Sequence, residues 1–193
     1  MAEPGGEIRD CGTGDPDRLQ RLWSPHRMTY ITSDPATSSE DSADKTKPAT
    51  SGHPFLDIPR MSDEDGLIVA RGEAVYAVLN LYPYNPGHTM IVPYRQVADL
   101  EDLTPLESAE LMSFTQRIIR TIKNVSNPNA FNVGLNLGYA AGGSLAEHIH
   151  QHIVPRWIGD ANFITVVGET KVMPQLLRDT RTLLAQAWHR LDD

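Results

Sequence analysis

The chain has little cysteine, no long apolar run and fewer basic than acidic residues. Its 193 residues include one cysteine, Cys11, which excludes an internal disulfide and a cysteine-rich metal cluster. No apolar stretch approaches the roughly 20 residues that a membrane-spanning helix needs. The first residues also lack the basic and apolar parts of a signal peptide. We therefore expect a cytoplasmic protein with no membrane partner.

The formal net charge of −8 bears on the choice of ligand. An acidic protein repels a polyanion, so a general nucleic-acid-binding surface is not expected. A small anionic ligand held by backbone amides in a local pocket remains compatible with this charge.

Composition changes along the chain and predicts four regions. Residues 1–18 are rich in Gly, Pro and Asp and are expected to form a flexible tail. Residues 19–32 contain Trp and Tyr and are expected to dock on the folded body. Residues 33–54 are mostly polar and are expected to form a flexible loop, because they cannot bury enough apolar surface to offset ordering. The folded domain is expected over residues 55–193.

The apolar periodicity predicts the elements of that domain. Alternating or continuous apolar residues predict strands at 66–70, 74–80, 88–93 and 131–137. Thr104, Pro105 and Glu107 form the start signal of a central helix, and residues 176–191 predict an amphipathic C-terminal helix. The order of strands, helix, strands and helix favours an α+β domain, with an antiparallel sheet of about five strands packed against both helices.

Three of the seven histidines lie within five residues, at His148, His150 and His152. If residues 148–154 form a strand, the three imidazoles project from one face, roughly 7 Å apart, while Ile149 and Ile153 point to the core. Imidazole can act as a nucleophile, acid, base or metal ligand near neutral pH.

Three interpretations of these histidines remain open. They could be solitary side chains on a half-exposed strand. Two of them could bind zinc with further ligands from elsewhere, although the outer pair would be roughly 13–14 Å apart on a straight strand. A neutral imidazole could instead attack phosphorus while its neighbours fix its tautomer and supply protons. The small-residue loop 138–144 favours the third interpretation, because its amides can form an anion-binding nest.

Together these residues resemble the signature of the histidine-triad (HIT) superfamily, His-φ-His-φ-His-φ-φ, where φ is apolar. Asn80 with residues 86–93 resembles the family's upstream strand and turn, and residues 136–144 resemble its ribose and phosphate region. Residues 22–31 resemble the amino-terminal signature of a bacterial subgroup. The resemblance covers about residues 20–190 and implies a HIT-like fold.

Two departures from the family pattern concern Gln151 and residues 53–56. Gln151 replaces an apolar residue on the face opposite the histidines, where a buried amide needs hydrogen-bond partners. Together with the loop 142–144 and Trp157, it resembles an actinobacterial branch that phosphorolyses diadenosine tetraphosphate. Residues 53–56, His-Pro-Phe-Leu, stand where many relatives have Cys-Pro-x-Cys, so no structural zinc is expected.

The resemblance implies that His150 is the nucleophile, that His152 lies near the phosphate or leaving group and that His148 orients the triad. It also implies a set of nucleotide- and phosphate-binding residues: Asn80, His88, Asn136, Gly142, Gly143, Ser144, Gln151 and Trp157. No cofactor and no metal are implied.

The implied reaction is phosphorolysis of diadenosine tetraphosphate by inorganic phosphate, which yields ATP and ADP through an adenylyl-histidine. The implied partners are this small nucleotide and phosphate, and the implied assembly is a homodimer or homotetramer. Two alternatives remain: hydrolysis of dinucleoside polyphosphates or nucleoside phosphoramidates, and a nucleotide-binding partner protein with weak turnover.

Overall fold

A computed structural model describes residues 51–141, 145–161, 163–167 and 173–191 of the chain. The predicted tail, docking segment and most of the predicted 33–54 loop lie outside these residues, so the division into four regions stays a prediction. The helices are α1 (Pro54–Asp57), α2 (Pro105–Ser126), α3 (Phe163–Val167) and α4 (Leu177–Arg190). The strands are β1 (Ile68–Arg71), β2 (Val75–Leu79), β3 (Thr89–Pro93), β4 (Ala130–Leu135) and β5 (Gln151–Arg156).

The five strands form one antiparallel sheet in the order β1-β2-β3-β5-β4. Every residue of β2 and β3 is buried, because both faces of these strands are covered. The predicted α+β fold, with an antiparallel sheet packed against a central and a C-terminal helix, is confirmed. Among the described residues, no helix is long and apolar enough to cross a membrane.

The two faces of the sheet have different coverings. On the first, which we call the helix face, α2 and α4 pack against Ile91 and Ile153, with Ile118 and Leu184 fully buried in the interface. The opposite face carries a second apolar cluster formed by Phe55, Ile68, Tyr76, Val78, Met90 and Val92. His152 pairs with Met90 in the sheet and shares this second face, which we call the histidine face.

The start signal of the central helix is confirmed in detail. The Thr104 hydroxyl accepts the Glu107 N–H and the Glu107 carboxylate accepts the Thr104 N–H, so the two residues form a capping box. Arg95 donates to both carboxylate oxygens of Glu107 and lowers the pKa of this group to about 2. The helix ends at Asn127, whose left-handed backbone accommodates the chain reversal before β4.

The predicted histidine strand is shifted along the chain: β5 covers residues 151–156 instead of 148–154. His148 and His150 precede the first paired residue, Gln151. The Ile149 N–H donates to the Val97 carbonyl at 2.7 Å, and the His148 ring bonds the Pro93 carbonyl. Residues 148–150 are therefore held by hydrogen bonds to residues 93–97, at and after the end of β3, and not by the pairing of strands in the sheet. Proline also has no N–H to extend that pairing.

Candidate active site

The structure brings the three histidine rings together beside α1. The rings of His150 and His152 are 4.9 Å apart between centroids and meet edge to face. Phe55 bridges the other pair, because its ring lies 5.5 Å from that of His148 and 4.9 Å from that of His150. The three imidazoles thus form one continuous cluster on the histidine face, as their alternation in the sequence predicts.

The hydrogen bond made by His150 fixes its tautomer. Its Nδ1 lies 2.9 Å from the carbonyl oxygen of His148, and a carbonyl can only accept, so Nδ1 carries the hydrogen. In the neutral ring, Nε2 then keeps its lone pair. Burial lowers the pKa of His150, which is 8% exposed, while the bond to His148 opposes that shift. The result is a neutral imidazole whose Nε2 can act as a nucleophile.

His148 is fully buried and supports the cluster through its backbone and its ring. Its Nε2 donates to the Pro93 carbonyl at 2.8 Å, which holds the ring at the end of β3. Burial lowers its pKa to about 4, with smaller contributions from the neighbouring charges of His53 and His150. Its backbone carbonyl is the acceptor that orients His150, and the predicted role of the His148 ring stays a prediction.

His88, the fourth histidine of the cluster, sets the tautomer of His152. The Tyr84 N–H donates to Nδ1 of His88 at 3.1 Å, so the hydrogen of this ring is on Nε2. Nε2 of His88 lies 2.9 Å from Nδ1 of His152 and therefore donates to it, which leaves the hydrogen of His152 on Nε2. Burial and the nearby charges of His152 and His150 lower the pKa of His88 to about 3, so this ring is neutral near pH 7.

Asn80 lies beside the hydrogen-bonded pair His88–His152, which we call the histidine relay, and its predicted nucleotide contact stays a prediction. Its amide nitrogen is 3.4 Å from Nδ1 of His88, and its amide oxygen accepts the Tyr82 N–H at 2.9 Å. Tyr84 was not a candidate from the sequence, yet its ring stacks 4.7 Å from that of His88 and 5.9 Å from that of His152. The tyrosines and prolines that crowd the loop before His88 are the sequence signal that could have found it.

The predicted ribose and phosphate region is described only in part. Asn136 directly follows β4, whose last residue, Leu135, pairs with Gln151 at the start of β5. Its predicted ribose or phosphate contact stays a prediction. Gly142, Gly143 and Ser144 lie outside the described residues, and their predicted phosphate contacts stay predictions.

Gln151 and Trp157 are not brought to the histidine cluster. The Gln151 side chain is buried on the helix face, where its Nε2 donates to the Thr115 hydroxyl of α2 at 2.6 Å. The Trp157 indole N–H donates to the Ser126 carbonyl at the end of α2, and the ring lines a cavity of about 380 Å³ between α2 and α4. These contacts place both side chains away from the histidine cluster, and their predicted substrate contacts stay predictions.

Replacing Gln151 with Met tests this assignment. Methionine keeps most of the volume and removes the hydrogen bond to Thr115, so the free energy of unfolding should fall by about 0.5–1.5 kcal/mol. Because the side chain faces away from the histidines, the ratio of ADP to AMP among the products should not change. Denaturant unfolding and product chromatography measure the two quantities. A changed ratio at unchanged stability would place Gln151 in the choice of acceptor.

The described residues do not form a metal site. His53 occupies the position of the first cysteine of the relatives' motif, and its ring lies 5.1 Å from that of His148. No third metal-ligating side chain joins this pair within the described ranges. The described residues therefore do not supply the three or four ligands of a structural zinc ion, and the absence of such an ion stays a prediction.

Comparison with known proteins places this site in a family. The HIT domain pattern matches residues 62–157, which include β1 to β5 and the whole histidine cluster. A Mycobacterium tuberculosis protein named AP-4-A phosphorylase is 64% identical over 183 residues, which are 95% of this chain and 91% of that protein. The chain belongs to the HIT family.

Two further proteins match smaller parts of this chain. The bis(5'-nucleosyl)-tetraphosphatase (asymmetrical) of Schizosaccharomyces pombe is 39% identical over 80 residues, which are 42% of this chain and 43% of that protein. The crystal structure of a zinc-bound histidine triad family protein from Mycobacterium smegmatis is 26% identical, with a TM-score of 0.58. The matched region includes 72% of this chain and 95% of the M. smegmatis chain.

Proposed function

We propose that this protein phosphorolyses diadenosine tetraphosphate to ATP and ADP, with His150 as the nucleophile. The observation that carries the proposal is the tautomer of His150, whose Nε2 keeps its lone pair in a buried cluster of neutral imidazoles. The name of the M. tuberculosis relative and its 64% identity over nearly the whole chain support the choice of substrate and reaction.

In the first step, Nε2 of His150 attacks the α-phosphorus of the dinucleotide, a P–N bond forms, and the bond to the bridging oxygen breaks. ATP leaves as an anion, so no full proton transfer is required. The Nε2–H of His152 donates a hydrogen bond to the departing oxygen as charge develops there. The adenylylated His150 ring is positively charged, and the His148 carbonyl stabilises it through Nδ1–H.

In the second step, an oxygen of inorganic phosphate attacks the same phosphorus, the P–N bond breaks, and ADP is released with His150 restored. Asn80, beside His88, and Asn136, directly after β4, are proposed to contact the ribose or phosphate. The loop residues Gly143 and Ser144 are proposed to donate to phosphate oxygens. We further propose a cytoplasmic homodimer or homotetramer as the working assembly.

Products formed with and without phosphate test this function. The enzyme is incubated with diadenosine tetraphosphate, and ATP, ADP and AMP are separated by chromatography. We expect equal amounts of ATP and ADP, formed at a rate that depends on phosphate, with radiolabel from phosphate recovered in ADP. Formation of ATP and AMP at a rate independent of phosphate would contradict phosphorolysis. It would identify a hydrolase, the activity named for the S. pombe relative.

A further inference from the structure

Residues 85–88 form a turn that ends at His88, and we call it the His88 turn. The side chain of Asn85, which is neither a proposed catalytic residue nor part of the histidine signature, ties this turn to β5. Asn85 is 2% exposed. Its Nδ2 donates to the Pro155 carbonyl at 2.8 Å and to Oδ2 of Asp160 at 2.7 Å. Pro155 belongs to β5, the strand that also carries His152. The amide of Asn85 therefore joins the His88 turn and the His152 strand outside the sheet ladder.

The anchor on the β5 side is itself rigidly held. Nε and Nη2 of Arg156 donate to the two carboxylate oxygens of Asp160, at 2.7 and 3.0 Å. Nη1 of Arg156 donates to the Asn132 side chain of β4 at 2.7 Å. This guanidinium holds the pKa of Asp160 well below its usual range, so the acceptor for Asn85 stays ionised at neutral pH.

On the other side, Asn85 is coupled directly to the histidine relay. The backbone carbonyl of Asn85 accepts the His88 N–H at 3.0 Å. Gly87 lies between these two residues and has a left-handed backbone (φ 77), which a glycine adopts without strain and which completes the turn. A displaced turn would move both the Tyr84 N–H and the His88 ring, whose hydrogen bonds together keep the hydrogen of His152 on Nε2.

We propose that Asn85 is a positioning residue, which locks the His88 turn to β5 and thereby keeps His152 in the tautomer that presents Nε2–H. Its effect on rate rests on the proposed function, whereas its effect on the tautomer does not. Without the Asn85 amide, the His88 turn is no longer bonded to Pro155 and Asp160. The distance between His88 Nε2 and His152 Nδ1 then varies, so His88 no longer holds His152 in one tautomer.

The tautomer is measured without substrate, by ¹⁵N NMR of the histidine-labelled full chain. The wild type should show one bare and one protonated nitrogen in His152. Asn85→Ala should show averaged signals for this ring. Asn85→Ser keeps one donor in a smaller side chain, so it should stay folded with a smaller effect. Asn129→Ala is the matched control, because the Asn129 amide oxygen holds the same 157–160 turn through the Ile158 N–H without contacting the His88 turn.

Kinetics supply the second measurement. For Asn85→Ala we expect kcat to fall roughly 10- to 100-fold with KM nearly unchanged, since misplacing a transition-state donor slows the chemical step. The Asn129→Ala variant should keep the wild-type kcat. A single Nε2–H tautomer of His152 together with unchanged kcat in folded Asn85→Ala would overturn the proposal. If the wild type makes AMP irrespective of phosphate, the proposed function fails, and the NMR result still decides the role of Asn85.

Discussion

His150→Ala should lower kcat/KM for diadenosine tetraphosphate at least about 10⁴-fold, because the variant lacks the nitrogen that forms the covalent bond to phosphorus. The structure supports this size of effect, since the bare Nε2 of His150 follows from its Nδ1–H bond to the His148 carbonyl. The remaining rings cannot replace it, because the His148 ring is fully buried and the one lone pair of the His152 ring, on Nδ1, accepts the His88 Nε2–H. Steady-state kinetics with product chromatography measure the loss.

Two variants separate loss of the nucleophile from loss of structure. His150→Asn places an amide N–H where Nδ1–H stands and can still donate to the His148 carbonyl, yet it has no nucleophilic nitrogen. It should therefore fold like the wild type and remain as inactive as the alanine variant. His189→Ala removes an exposed histidine on α4 and should leave the activity unchanged. Activity within tenfold of wild type in folded His150→Asn would remove His150 from the nucleophile role.

The second large effect is expected at His152. His152→Ala should lower kcat roughly 10²- to 10³-fold, because a preorganised donor to the departing oxygen is lost where negative charge develops. His152→Gln retains an N–H donor on a side chain of similar reach and should recover part of the rate. Comparison of the two variants by steady-state kinetics measures the value of the donor.

Leaving-group dependence distinguishes this role from a purely structural one. With an adenylyl substrate whose leaving group is a weaker base than ATP, the departing oxygen carries less charge and needs less stabilisation. The rate loss in His152→Ala should therefore shrink with such a substrate, while the loss in His150→Ala should not. An equal loss for both substrates in His152→Ala would contradict donation to the leaving group.

Much of the fold follows from local patterns in the sequence. Glu107 completes the capping box because its partner, Thr104, is three residues away, and the strand that alternation predicts at residues 131–137 is observed as β4 at Ala130–Leu135. The shared face of the three histidines also follows from their spacing. What local pattern could not provide is the start of β5, which depends on bonds to Pro93 and Val97 from a distant part of the chain.

The side-chain contacts that local patterns did not predict have the same physical origin. Alternation places Gln151 on the face opposite the histidines, but its partner is a hydroxyl 36 positions away on α2, which no local pattern identifies. Asn85 is followed by Pro86 and Gly87, a sequence typical of a turn, and its acceptor Asp160 lies 75 positions away, beyond the reach of that local pattern. Such contacts depend on how helices and turns pack on the sheet. Local sequence patterns do not specify this packing.

The covalent state of His150 during turnover tests the central claim most directly. The enzyme is mixed with diadenosine tetraphosphate in phosphate-free buffer, denatured rapidly at alkaline pH, where a phosphoramidate survives, and analysed by intact mass and peptide mapping. We predict one adenylyl group on His150, formed together with ATP and converted to ADP when phosphate is added. Release of ATP at the full single-turnover rate with no adenylyl group on the protein, or with the group on another residue, would contradict the account.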